Sequence, residues 1–313
     1  MTTNLPFKVN PELTGIALAY KNTDYIADEI LPKVPVTKSV IKYNKYPKGQ
    51  FYTVPKSEIG RKGEAESMEY KYSEELASLT DYSLKAEVPQ KDVMEAQADG
   101  GIVNPMVDNT LLVTEGLKLS REKRVADLIF NTSTYNGNVT SLTTSDSFAN
   151  ANSSFLDVYD DVLKKMDMPP NYAVISNVNA LKLKRHPEFL AMYKGDNANN
   201  KGMVPLDFIA EQLGLKKIIV GTSRANTVKA GKNPVIQNLW GDDMAFFYQN
   251  PLAKPQYGLT FGLTAQKGTT EVHSYFDEDK GSYGLNVIRP VETMAELILC
   301  SGCGYLVKNA FVK

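Results

Sequence analysis

Residues 37–88 constrain this chain more than any other stretch, because strand patterning flanks a charged, turn-rich centre. Val40, Tyr43, Tyr46, Phe51 and Val54 mark an outgoing strand. Tyr82, Leu84, Ala86 and Val88 alternate with Asp81, Ser83, Lys85 and Glu87, the period of a half-buried return strand. Between them, Pro55-Lys56-Ser57-Glu58-Ile59-Gly60-Arg61-Lys62-Gly63-Glu64 reads as a polar tip. The pattern predicts one very long hairpin. A two-stranded ribbon alone is at best marginally stable in water, so it needs a surface to lie on. A neighbouring molecule and the hairpin's own domain both remain open as that surface.

The flanking segments divide by rhythm. Residues 1–36 read as an arm: Leu5-Pro6, Asn10-Pro11, Leu31-Pro32 and Val34-Pro35 favour extended backbone, with one short amphipathic helix between Ile16 and Ile30. Asn104 and Pro105 suit the cap and first position of a helix that runs to about Phe130, roughly 38 Å long. Ser120, Arg121, Glu122, Lys123 and Arg124 interrupt its apolar stripe, which predicts a long, partly exposed strut. A Ser/Thr/Asn-rich linker follows to Asn152. Phe155, Val158, Tyr159, Val162, Leu163 and Met166 then fall on one helical face, stopped by Pro169-Pro170. Short apolar strands at Tyr172–Ile175, Lys217–Val220 and Met244–Tyr248 alternate with helices at Asn179–Arg185 and Leu206–Leu213, the mark of an α/β unit. Strand-like runs dominate from Tyr257 on: 259–263, 271–276, 283–291 and 296–307.

Catalytic and metal-binding patterns are weak. Cys300-Ser301-Gly302-Cys303 fits C-x-x-C, but no helix is predicted after it, and a redox motif wants its first Cys at a helix start. The two are read as small residues in a strand or bend. A zinc site needs about four ligands, and the chain has only 2 His and 2 Cys. His186 stands at a predicted helix end, and His273 shares a strand face with Glu271. Asp160-Asp161, Asp242-Asp243 and Asp277-Glu278-Asp279 lack calcium-loop spacing. Gly231-Lys232-Asn233 lacks the rest of a phosphate-binding loop. The expectation is no enzyme, no cofactor and no metal. A formal net charge of -1 gives no basic excess for nucleic-acid binding as a primary task, and leaves many copies free to pack without strong repulsion. No signal peptide or membrane-length apolar run is found, so a soluble protein made in a cytoplasm is expected.

The order of parts, and several local stretches, resemble the major capsid proteins of tailed bacteriophages with the Hong Kong 97-type fold. Tyr25-Ile26-Ala27-Asp28-Glu29-Ile30-Leu31-Pro32-Lys33-Val34-Pro35-Val36 is similar to that family's A-D-x-[VIL]-[LF]-P-x-V-P-V stretch. Pro169-Pro170-Asn171, then Leu183 and His186-Pro187, look like its P-P-N…L…H-P stretch. Residues 210–221, AEQLGLKKIIVG, resemble its helix–strand unit, and Leu239-Trp240-Gly241 and 257–262, YGLTFG, fall where the pattern puts them. The linker departs from it: where relatives carry a Trp-containing stretch, this chain has Leu142 and Phe148.

The resemblance implies an α+β Hong Kong 97-like capsid fold. Its parts would be an N-terminal arm (1–36), an extended hairpin loop (37–95), a peripheral domain (96–152 and 256–292) with spine helix 104–130, and an α/β axial domain (153–255 and 293–313). It implies self-assembly into pentamers and hexamers that close an icosahedral shell around double-stranded DNA, in a virion put together in the host bacterial cytoplasm. The implied partners are copies of itself, a separate scaffolding protein, a portal, a possible decoration protein and non-specific DNA contacts; no membrane is involved. The hairpin would lie over an adjacent subunit and the arm would reach a neighbour. Lys56, Glu58, Arg61, Lys62, Glu64 and Glu66 at the hairpin tip are the expected inter-subunit ion-pairing residues. An encapsulin-type compartment shell, which shares the fold, and an α/β enzyme with a hairpin lid are the alternatives.

Overall fold

Strand alternation decides how this chain layers. In Tyr172–Ser176, Lys217–Gly221, Met244–Phe247 and Gly304–Lys308 nearly every residue is buried, as expected where both sheet faces are covered. The computed structural model describes residues 8–20, 25–45, 54, 57–61, 63–64, 67, 72–98, 100, 103–195, 202–226, 228, 232–256 and 258–312. In chain order the elements are β1 (Lys8–Val9), α1 (Pro11–Ala19), α2 (Ala27–Ile30), β2 (Lys33–Val36), β3 (Val40–Lys45), β4 (Ser73–Ser78), β5 (Thr80–Ser83) and β6 (Ala86–Pro89). Then come α3 (Gln90–Ala98), α4 (Pro105–Ile129), β7 (Val139–Ser141), α5 (Phe155–Lys165), β8 (Tyr172–Ser176), α6 (Asn177–Leu183), α7 (Pro187–Lys194) and α8 (Leu206–Gln212). The rest are β9 (Lys217–Gly221), β10 (Arg224–Asn226), β11 (Ile236–Asn238), β12 (Met244–Phe247), β13 (Gly262–Asp277), β14 (Leu285–Ile298) and β15 (Gly304–Lys308).

A five-stranded sheet runs β7-β15-β12-β8-β9, with β7/β15 and β8/β9 parallel and the other pairs antiparallel. Its alternate residues serve two cores. Ala173, Ile175, Ile218, Phe246, Tyr305 and Val307 meet Phe155, Tyr159 and Val162 of α5, with Leu183, Phe189, Leu190 and Ile209 from α6–α8. Val174, Ile219, Ala245, Phe247 and Leu306 point the other way, onto Ile26, Ile30, Leu31, Val125, Ile129, Trp240 and Phe261. That second core joins the arm, α4 and the sheet.

The six-stranded sheet is built on the long β13–β14 pair, with β1 and β2 on β13 and β5 and β6 on β14. Its register breaks between Lys267 and Glu271, where Gly268 takes φ +68, a conformation few other residues adopt. The run at 271–276 and the end of the run at 259–263, Gly262 and Leu263, therefore belong to one bulged strand.

Two expectations change, for the stretch 82–88 and for the arm. The alternating stretch 82–88 does not return against β3. It forms β5 and β6 on β14, while Ser73–Ser78, which alternates less clearly, supplies β3's partner. Pairing to β14 buries Val88 to 1% exposure against Leu13, Ala17, Val272 and Ile288, a gain that a free ribbon does not offer. The arm carries two helices rather than one across 16–30: the Asn10 side chain caps the N–H groups of Glu12 and Leu13, and Pro11 opens α1 earlier than expected. α4 is partly exposed along its charge run, with Ser120 and Lys123 exposed and Arg121 (4% exposed) and Glu122 (0%) buried. The 131–152 linker is ordered onto the body: Phe148 packs against Phe155 and Phe311, and its N–H donates to Ala310 O at 2.7 Å.

Candidate assembly surface

The β3–β4 hairpin is anchored at its root and bare on its outer face. Ile41 and Leu79 pack on Leu263, Ala265, Leu297 and Leu299. Asn44 ties the hairpin to the 255–256 turn, its N–H donating to Pro255 O at 3.0 Å and its amide to Gln256 O at 2.9 Å. Lys42–Glu74 (2.8 Å) and Lys45–Glu75 (3.1 Å) bridge the strands, and the Tyr43 hydroxyl donates to Glu75 at 2.6 Å. Burial and the Glu75 carboxylate push the Tyr43 phenol up to about 12. Val40 and Leu76 share the other face, 53% and 70% exposed, and Val54 and Ile59 farther out are 89% and 56% exposed. No third strand pairs with this ribbon among the described residues.

Of the expected tip residues, Glu58, Arg61 and Glu64 are exposed around a tight turn in which Gly63 N–H donates to Gly60 O at 2.8 Å. None of the three makes an ion pair with another described residue. Lys56, Lys62 and Glu66 lie outside the described residues.

Sequence reasoning missed the residues that hold the arm. The Glu122 carboxylate accepts from Ile26 N–H, Ala27 N–H (2.9 Å), Ser223 Oγ (3.2 Å) and Trp240 Nε1 (2.8 Å). Burial pushes this carboxyl above its ordinary range, and these four donors offset part of that push. Arg121 pairs with Asp28 and donates to Thr264 Oγ1 at 3.2 Å. Burial raises the Asp28 carboxyl, but Arg121 and Lys33 outweigh it and hold the carboxyl below its usual value. Tyr20 and Tyr25 both donate to Glu115, and Lys118 donates to Tyr20 O. The described arm residues therefore lie on their own subunit. The interruption of the apolar stripe at 120–124 was the available signal, and two of the interrupting residues, Arg121 and Glu122, turn out to be the clamp.

The other flagged residues fill structural places. His186 is buried, with Nε2 3.3 Å from Ser153 Oγ. His273 Nε2 stands 3.9 Å from Glu271. Among the described residues, no group of three or more His, Cys, Asp or Glu is placed to hold a metal ion. Cys300 and Cys303 are free, buried thiols. A short 3-10 turn at Ser301–Cys303 follows Cys300, so the pair sits in a bend between β14 and β15. None of the described helices is long and apolar enough to cross a membrane.

A long helix, a long antiparallel pair, a second α/β layer and a separate two-stranded ribbon make up a fold shared with shell-forming proteins. A phage-related protein from Bordetella bronchiseptica RB50 superposes with a TM-score of 0.74 at 20% identity, over 98% of this chain and 99% of that one. The capsid protein of cyanophage P-SCSP1u does so at 0.57 and 11% identity, over 93% and 89%. In sequence the chain is 37% identical over 308 residues to the major capsid protein of Pseudomonas phage JBD67, covering 98% of both. The chain belongs to the family of phage major capsid proteins. No protein-family model matches it.

Proposed function

We propose that the chain assembles with copies of itself into pentamers and hexamers that close an icosahedral shell around phage double-stranded DNA, inside the host cytoplasm. The full-length relationship to a phage major capsid protein carries this reading. The β3–β4 ribbon and the segment beyond it support this, because Val40, Leu76, Val54 and Ile59 are exposed, with no third strand pairing to the ribbon among the described residues. In this reading 37–95 is the overlapping loop, 96–152 and 256–292 form the peripheral domain around α4, and 153–255 with 293–313 form the axial domain at the ring centre. Scaffolding, portal and decoration proteins are the further partners, and DNA contact is non-specific, through backbone phosphates. Negative-stain microscopy and light scattering of the expressed chain, alone and with its scaffold, test the proposal. Shells, tubes or rings of five and six are expected; a monomer at every concentration with the scaffold present would overturn it.

A further inference from the structure

The proposed shell-building reading does not use the C-x-x-C stretch, yet its geometry is specific. Cys300 lies two residues after β14 and Cys303 immediately precedes β15, so the turn between them is where the chain crosses from the six-stranded sheet to the five-stranded one. Both side chains belong to the core that also holds Ile30, Leu31, Val125 and Ile129. Their sulfurs stand 2.8 Å apart, against about 2.05 Å for a disulfide bond. The Cys303 thiol donates to Cys300 Sγ. The turn is held independently by Cys303 N–H on Cys300 O (3.1 Å) and by Asp167 N–H on Gly302 O (2.9 Å).

We propose that Cys300 and Cys303 are a modification site: a thiol pair that peroxide-class oxidants close into a disulfide within one subunit. The inference goes beyond shell formation and holds for the unassembled chain. Cys300 is the attacking sulfur. The Cys303 thiol and the amides of Cys303 and Gly302 hold it below the usual thiol range, whereas the Cys300 contact, burial and Asp167 push Cys303 up. The Cys300 thiolate attacks one peroxide oxygen, the O–O bond breaks, and the departing hydroxide takes a proton to leave as water. The resulting sulfenic acid faces the Cys303 sulfur. Cys303 attacks Cys300 Sγ, the S–O bond breaks, and the hydroxyl leaves with the Cys303 thiol proton as a second water. The two thiols lose two electrons in total, and one peroxide becomes two waters. Exposures of 2% and 0% restrict the oxidant to a small, uncharged molecule. The closed bond would fasten the crossing between the two sheets.

Full-length protein is treated with hydrogen peroxide, denatured in excess maleimide, digested and weighed. The peptide bearing both cysteines is expected to lose two hydrogens and to resist maleimide until reduced, and the Tm is expected to rise by a few degrees. Glutathione disulfide, too large to enter, is expected to leave both thiols free in native protein. C303S is expected to stop at a Cys300 sulfenic acid that takes up dimedone, and C300S to keep its Cys303 thiol. Wild-type thiols that both stay reactive after peroxide would overturn the proposal. So would a disulfide found only between chains, or oxidation of Cys303 in C300S as fast as of Cys300 in C303S.

Discussion

Trp240 donates its indole N–H to Glu122 across 2.8 Å, and both residues are fully buried. The contact joins α4 to the segment before β12, and the same carboxylate holds the start of α2 through two backbone amides. Glu122→Ala would leave those two amides and the Ser223 hydroxyl short of an acceptor, and the indole would keep only Ser223 Oγ at 3.1 Å. A buried unsatisfied group costs about 1–3 kcal/mol, so a loss of at least about 3 kcal/mol is expected in urea unfolding of the unassembled subunit. Trp240→Phe removes one donor and should cost less than Glu122→Ala. Limited proteolysis should cut Glu122→Ala in the arm first; equal cleavage of mutant and wild type would mean that Glu122 does not hold it.

Gly221 shows why one family-like position takes glycine. A Cβ there would lie 2.1 Å from Trp240 Cδ1 and 2.3 Å from Cγ, and the indole is enclosed. Overpacking of this kind costs typically about 1–3 kcal/mol, so Gly221→Ala should lower the urea midpoint at unchanged slope. Gly241, with nothing within 4 Å of its Cβ position, is the control: Gly241→Ala should stay within about 0.5 kcal/mol. Equal effects at the two sites would refute the packing argument.

These two residues also mark what the sequence made legible. Helical periodicity from Phe155 to Met166 and the cap pair Asn104-Pro105 are local signals, and α5 and α4 begin and end within a residue or so of them. Strand partnership is not local. The alternation at 82–88 states only that one face is buried, and its cover proved to be β14, about 200 residues on, not β3. The charge run at 120–124 showed only an interrupted apolar stripe, because sequence does not show that Arg121 meets Asp28 or that Glu122 meets four donors. Assembly contacts belong to pairs of subunits, so the tip residues were named from family resemblance rather than derived.

His186 gives a pH dependence with a definite sign. Burial pulls its imidazole below the ordinary 6.5, against a weaker opposing pull from Glu188. The folded chain therefore holds it neutral at a pH where the unfolded chain binds a proton. Its contribution is complete above about 6.5 and is lost as pH falls through the lowered folded value. Glu122, raised by burial, works in the opposite sense, its contribution growing as pH falls from its raised value toward 4.5. The difference between wild type and His186→Leu isolates the histidine. Urea stability of the unassembled subunit should fall more steeply below pH 6.5 in wild type than in the variant. Parallel curves would show that His186 does not titrate on unfolding.

The hairpin tip tests the shell itself. If Arg61 and Lys62 meet acidic groups of an adjacent subunit, reversing both charges, Arg61→Glu with Lys62→Glu, converts attraction into repulsion at every copy. Each exposed ion pair contributes only about 0–1 kcal/mol, so one contact changes association by no more than roughly fivefold. Repetition around a closed shell multiplies that small factor, and the concentration needed for assembly should rise clearly while the subunit's Tm stays put. Added salt should partly restore assembly of the variant, because repulsion between exposed charges is screened beyond about 10 Å at 0.1 M. Light scattering across a salt series reads both effects. Unchanged assembly and unchanged salt tolerance would remove Arg61 and Lys62 from the interface, and would leave exposed Val40, Leu76, Val54 and Ile59 as the part of the ribbon that binds.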